Sequence, residues 1–217
     1  TLVGTSGLLT GTETDAGTSA TVSSSITGAG GTLVVSNVAA NFIVRQAGTN
    51  GGSGMKAVLD MSGLGTFQAS VARVEIGALG ADARPMGTLI LAKTNFITAA
   101  GASPAIQIGG QGGGSGNSGN GSYFYFGQSN VIFANGISVA TVKQGGCSML
   151  FAPGIVSGNR VAYFRGANGV GPVPNWFIAD SGSQGGTVNT TGTNAFSGGT
   201  VDALVGNLTI ARSSTGS

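Results

Sequence analysis

The chain has 217 residues, among them 42 glycines, nine basic and seven acidic residues, no histidine and one cysteine. That composition excludes a His-ligated metal site, a Ser-His-Asp triad and an intrachain disulfide. The charges are scattered, so the Lys/Arg cluster that displaces counterions from nucleic acid is missing, and no stretch reaches the ~18 apolar residues of a membrane helix.

An apolar share of 41% is too high for a disordered chain, which combines low hydrophobicity with high net charge. Residues 1–30 form a Thr/Ser/Gly-rich lead-in. Two readings stand for it: a strand that pairs with a neighbouring subunit, or a frayed cap. Thr1-Leu2-Val3-Gly4 lacks the charged and apolar regions of a targeting segment. A first residue of Thr rather than Met reads as a processed or partial sequence.

From residue 31 to 217 the chain repeats. A two-beat apolar signal recurs as Phe42-Ile43-Val44, Val74-Glu75-Ile76, Ile106-Gln107-Ile108, Ile137-Ser138-Val139, Trp176-Phe177-Ile178 and Leu208-Thr209-Ile210. The steps are 32, 32, 31, 39 and 32 residues. Gly77, Gly109, Ala140, Ala179 and Ala211 follow five of these signals, and Arg45 departs from the rule. A fixed period of this size marks stacked supersecondary units.

Between these signals apolar residues alternate at spacing two, with Gly and Asn as punctuation, which is the pattern of strands and turns. A second segment follows the first, as in Gly87-Thr88-Leu89-Ile90-Leu91 and Ser122-Tyr123-Phe124-Tyr125-Phe126. A third pairs a hydroxyl residue with Asn, in Thr94-Asn95, Ser129-Asn130 and Thr193-Asn194. Leu89 to Phe124, Asn95 to Asn130 and Ile97 to Ile132 share one separation of 35 residues. The expected fold is therefore all-β: a right-handed parallel β-solenoid of six or seven three-strand rungs. A β-sandwich or jelly roll is the rival arrangement, because short strands with Gly turns also fit it.

In a solenoid, Val74, Ile106 and Ile137 stack into one inner column. Asn95 and Asn130 become neighbours in an amide ladder; the competing reading is an ordinary Asn in a left-handed turn. The Gly109–Gly121 stretch, Gly48–Gly54 and Gly166–Asn175 read as loop excursions, the last accounting for the long step. The Gly-rich stretch has neither the Lys-Ser/Thr ending of a phosphate loop nor the Asp of a calcium loop.

Candidate chemistry is sparse. Cys147 lacks an activating base and reads as a small buried hydrophobe. Asp60, Glu75 and Lys93 could approach one another across rungs as a polysaccharide-cleaving set; the competing reading is outward positions facing water. Tyr123, Tyr125 and Trp176 are candidate glycan contacts, since exposed rings stack on sugars; the competing reading places them in the core or under a loop. No cofactor is expected.

The stretches Leu59–Phe67, Gly87–Asn95, Phe126–Asn130, Tyr163–Gly166 and Phe196–Val205 resemble large Gly/Thr-rich bacterial exported proteins. The chain is broadly similar to autotransporter passenger regions and filamentous-haemagglutinin-type adhesins. The resemblance implies a secreted or surface β-solenoid and brings no catalytic residues with it. It also implies a chain that runs on beyond this length. The resulting expectation is a non-enzymatic structural component of an extracellular fibre or cell-surface layer, self-associating through uncapped ends as a homo-oligomer or filament. An adhesin contacting an extracellular glycan is the second expectation, and a polysaccharide-active enzyme the third.

Overall fold

The computed structural model describes residues 8–10, 21–45, 56–78, 86–110, 121–141, 144–155, 158–182 and 190–212. Among the described residues there are strands and turns and no α-helix. All pairing is parallel, and the strands stack as a β-solenoid with three faces.

The first face is a six-stranded sheet. It contains β2 (Thr21–Ser25), β4 (Lys56–Asp60), β6 (Met86–Ile90), β9 (Tyr123–Phe126), β12 (Cys147–Phe151) and β15 (Gly192–Ala195). The chain thus passes this face six times, enclosing five full turns between β2 and β15. Two long strands, β3 (Gly28–Val44) and β5 (Leu64–Ala78), bend round the corner between the second and third faces. The second face continues with β7 (Thr94–Ala99), β10 (Ser129–Ala134), β13 (Arg160–Arg165) and β16 (Gly199–Ala203). The third begins with β1 (Leu8–Thr10) and continues with β8 (Ile106–Gly110), β11 (Ile137–Thr141), β14 (Val173–Asp180) and β17 (Val205–Ile210).

The repeat signal is the register of the third face. Phe42 pairs with Val74, Val74 with Ile106, Ile106 with Ile137, Ile137 with Trp176, and Trp176 with Leu208. One coil cannot bury its apolar edge alone. Stacked at ~4.8 Å, its N–H and C=O groups pair along the axis while every second side chain points inward. Val74, Ile106 and Ile137 are buried at 1%, 0% and 0% exposure. Burial of each such side chain contributes roughly 1.5–3 kcal/mol. A ring column on the first face runs parallel to them: Phe126 packs edge-on against Phe151 at 6.1 Å and stacks with Phe196 at 6.1 Å.

The residue after each apolar pair turns the corner. Gly77, Gly109, Ala140, Ala179 and Ala211 all have φ between 54° and 63°. This left-handed step re-aims the chain toward the first face at the same point of successive coils. Glycine is required where the corner is crowded. A Cβ on Gly77 would meet Ser122 Oγ at 2.0 Å, and one on Gly109 would meet Cys147 Sγ at 2.2 Å. Arg45 is absent from the positive-φ residues; its side chain reaches across to Glu75 and to the Ala78 carbonyl instead.

Three expectations need correction, and one lies outside what the structure describes. Pairing begins inside the 1–30 lead-in, because β2 pairs with β4 of the same chain. Thr193-Asn194 belongs to β15 on the first face, where Asn194 is in register with Met149, so it is no rung of the Asn95–Asn130 column. The long step of 39 has two sources: eight residues separate β12 from β13 and seven separate β13 from β14, against two at each of these places one coil earlier. The loop expected at Gly48–Gly54, and residues 111–120 of the Gly-rich stretch, lie outside the described residues.

Candidate functional site

The open end formed by β15, β16 and β17 is the place where the solenoid departs from its own burial rule. Leu208 is in register with Trp176, and Ile210 with Ile178. In earlier coils the same columns hold Ile106, Ile108, Ile137 and Val139, all at 0% exposure. Leu208 is 57% exposed and Ile210 61%. Leu204 is exposed too, and Val201 and Val205 are half-buried. Among the described residues, the inner surface of the last coil is therefore left uncovered, and no described strand pairs with the outer edge of β15, β16 or β17. At the opposite end the outermost described strands are β1 on the third face, β2 on the first and the start of β3 on the second.

The Asn pair lies in the middle of the second face. Asn95 pairs in register with Asn130, and both are buried, at 0% and 1%. Asn95 Nδ2 donates to Asn130 Oδ1 at 2.8 Å and to the Ala92 carbonyl at 2.7 Å. Asn130 Nδ2 donates to the carbonyls of Gly127 and Val161, and its Oδ1 also accepts from Gly127 N–H. The column stops there, because Phe67 and Ala162 occupy the flanking positions. Asn95 Oδ1 faces no donor.

The aromatic candidates divide. Tyr123 and Tyr125 lie on the outer side of β9, half-buried, with rings 5.8 Å apart and 14° from parallel. Lys56 Nζ stands 5.5 Å from the Tyr123 ring centroid. Trp176 is no surface contact. It points inward at 4% exposure and packs edge-on against Phe164 at 4.9 Å, because it continues the Val74–Ile106–Ile137 column.

The carboxylates do not converge. Asp60, at the end of a first-face strand, accepts from Ser62 N–H at 2.8 Å. Glu75, on the third face, is buried at 3% rather than facing water. Its carboxylate accepts from Asn41 Nδ2 and Arg45 Nη1, with Arg73 Nε at 3.8 Å. Burial pushes the Glu75 pKa up, and the neighbouring Arg45 and Arg73 charges oppose that rise. Asp180 is held bidentately by Arg212 at 2.8 and 2.7 Å, and Asp202 by Arg165 at 3.0 Å. Lys93 lines a groove of about 440 Å³ with Gln128 and Asn159, and no carboxylate lines it. Each described carboxylate is engaged separately, so the paired acids that glycoside cleavage needs are not assembled among them.

These ion pairs escaped the sequence reading. Arg45–Glu75 and Asp180–Arg212 are 30 and 32 residues apart, close to one coil. Opposite charges at coil spacing were the signal available. Cys147 is fully buried, and burial pushes its thiol up to about 11.

Comparison with protein-family models, with curated proteins and with solved structures gives no match. No described helix is long and apolar enough to cross a membrane.

Proposed function

We propose that this chain is a non-catalytic structural subunit of an extracellular fibre or cell-surface layer, adding head to tail through the open ends of its solenoid. The observation that carries the reading is the exposure of Leu208 and Ile210, in columns whose earlier members are sealed. Each end offers one strand edge per face. A second copy advanced by six coils would set its β2 and β3 on β15 and β16 in parallel register, with its β1, a seventh strand on the third face, giving up its place to β17. Unpaired edges with an apolar interior are a template for such addition. A contact of this kind is heterologous and does not close, so it propagates as a filament. The low charge and the likeness to exported solenoids support an exterior position.

Sedimentation velocity over a wide concentration range tests this. The chain is expected to form a ladder of species that grows with concentration, and Leu208→Glu with Ile210→Lys is expected to stay monomeric with an unchanged circular dichroism spectrum. A monomer at every concentration, or equal assembly by the variant, would contradict the reading.

A second reading, an adhesin that contacts a glycan, is favoured by the near-parallel, half-exposed Tyr123–Tyr125 pair. It predicts glycan binding that is lost when both are changed to Ala.

A further inference from the structure

We infer that the outer side of the second face is a docking strip for a neutral polysaccharide lying along the solenoid axis. The inference is independent of axial assembly and uses a different face from Tyr123 and Tyr125.

Aromatic side chains project from three successive coils of this face. Phe96 on β7 and Tyr163 on β13 share one outward column, with Val131 between them. Phe133 on β10 stands in the adjacent column, in register with Thr98 and Arg165. Phe96 is 46% exposed, and Val161 beside the strip is 44% exposed. The Phe133 and Tyr163 rings meet edge-on at 6.4 Å. The Arg165 guanidinium carbon stands 3.7 Å from the Tyr163 ring centroid, adding donor groups to the platform. A shallow depression of about 230 Å³ abuts Phe96, with Gln68, Ser70 and Thr98 at its wall.

Charge restricts the ligand. Arg165 and Asp202 are the only charged outward residues on β7, β10, β13 and β16 apart from Arg160 at the strand start, and they neutralise each other at 3.0 Å. Lys93 and Arg160 stand at the rim, just before β7 and at the start of β13, so the ring columns themselves carry no net charge that would select a uronate or sulfated polymer. A pyranose ring does fit: its C–H face stacks on a ring while its hydroxyls reach Thr, Gln and Arg donors. Rings recur in one column at Phe96 and Tyr163, two coils or about 9.6 Å apart along the axis, with Phe133 beside them.

Area argues against a folded protein as the occupant. Six strands ~4.8 Å apart, each with outward residues spanning about 13 Å, give a strip of roughly 400 Å², about half the ~800 Å² per partner of a stable interface. A single extended chain suits that width.

Native affinity electrophoresis tests the assignment, with gels containing hydroxyethylcellulose, laminaran or alginate, and with a polymer-free gel as reference. The wild-type chain is expected to be retarded by a neutral polymer, with little effect of added salt. Phe96→Ala is expected to weaken retardation about tenfold, the loss of one stacking ring, and Tyr123→Ala with Tyr125→Ala to leave it unchanged. The exposed Phe96 can be removed without opening the core, and circular dichroism checks this. Retardation by neither neutral polymer, retardation by alginate alone, or wild-type retardation of Phe96→Ala would overturn the assignment. Loss in the double Tyr variant with retention in Phe96→Ala would move the site to the first face and overturn it equally. Sedimentation of the same samples reads axial assembly separately, so one idea can fail while the other stands.

Discussion

Asn95 and Asn130 sit one coil apart in the buried heart of the second face, joined amide to amide at 2.8 Å. The pair is asymmetric. Asn130 uses both ends of its amide, whereas Asn95 Oδ1 has no donor. Removing Asn130 strands Gly127 N–H and the Gly127 and Val161 carbonyls, each costing about 1–3 kcal/mol if left unsatisfied. Asn130→Ala is therefore expected to destabilise by about 3 kcal/mol and Asn95→Ala by about half of that. Urea denaturation of the two variants checks the order; an equal or reversed cost would show that the ladder direction is immaterial.

The corner alanines make a prediction of opposite sign. Ala140 and Ala179 hold φ values of 58° and 56°, which cost a non-glycine residue roughly 1–2 kcal/mol. Glycine loses more chain entropy on folding but removes that strain. Ala140→Gly and Ala179→Gly are each expected to stabilise by about 0.5–1 kcal/mol. Gly109→Ala is expected to destabilise by more than about 2 kcal/mol, because its Cβ would press on Cys147 Sγ. Thermal melts of the three variants read this directly.

Cys147 is expected to be inert in the folded chain. The thiolate is the reactive form, and burial holds the thiol up at about 11. A disulfide reagent at pH 8 should leave the native thiol unmodified and label it within minutes in denaturant. Fast native labelling would mean that the corner at Gly109 opens readily.

Glu75 gives the chain a pH signature. Its folded pKa lies above the ordinary value of 4.5, chiefly through burial. The native state then holds a proton that the unfolded state has released, so this contribution to stability is present below about pH 4 and is lost as pH rises through the folded pKa. The stability of wild type relative to Glu75→Gln is expected to fall as pH rises above the ordinary carboxyl value of 4.5. A flat difference, or one rising with pH, would mean that Arg45 and Arg73 outweigh the burial.

Most of the fold was legible because a solenoid writes its register into its period. Every member of the Phe42-to-Leu208 column was identifiable from spacing, since each coil repeats the same inward alternation. Gly or Ala after five of the six pairs marked the corner, which is left-handed at each of those five residues. Trp176 was ambiguous because an aromatic at an inward position looks like an aromatic on a face; only its place in the column decides. Asn194 misled because Thr-Asn occurs on two faces, and the dipeptide carries no information about which. Glu75 was invisible as a buried ion because its partners lie a coil away, and an outward position can still be covered by long Arg side chains.

Axial addition through Leu208 and Ile210 is the claim on which the functional account rests, and fibre diffraction of concentrated, aligned protein tests it most directly. Six coils of ~4.8 Å predict a meridional reflection at that spacing and a subunit repeat of about 29 Å along the same axis. An unoriented monomer pattern, or a polymer whose 4.8 Å reflection lies perpendicular to its long axis, would contradict it.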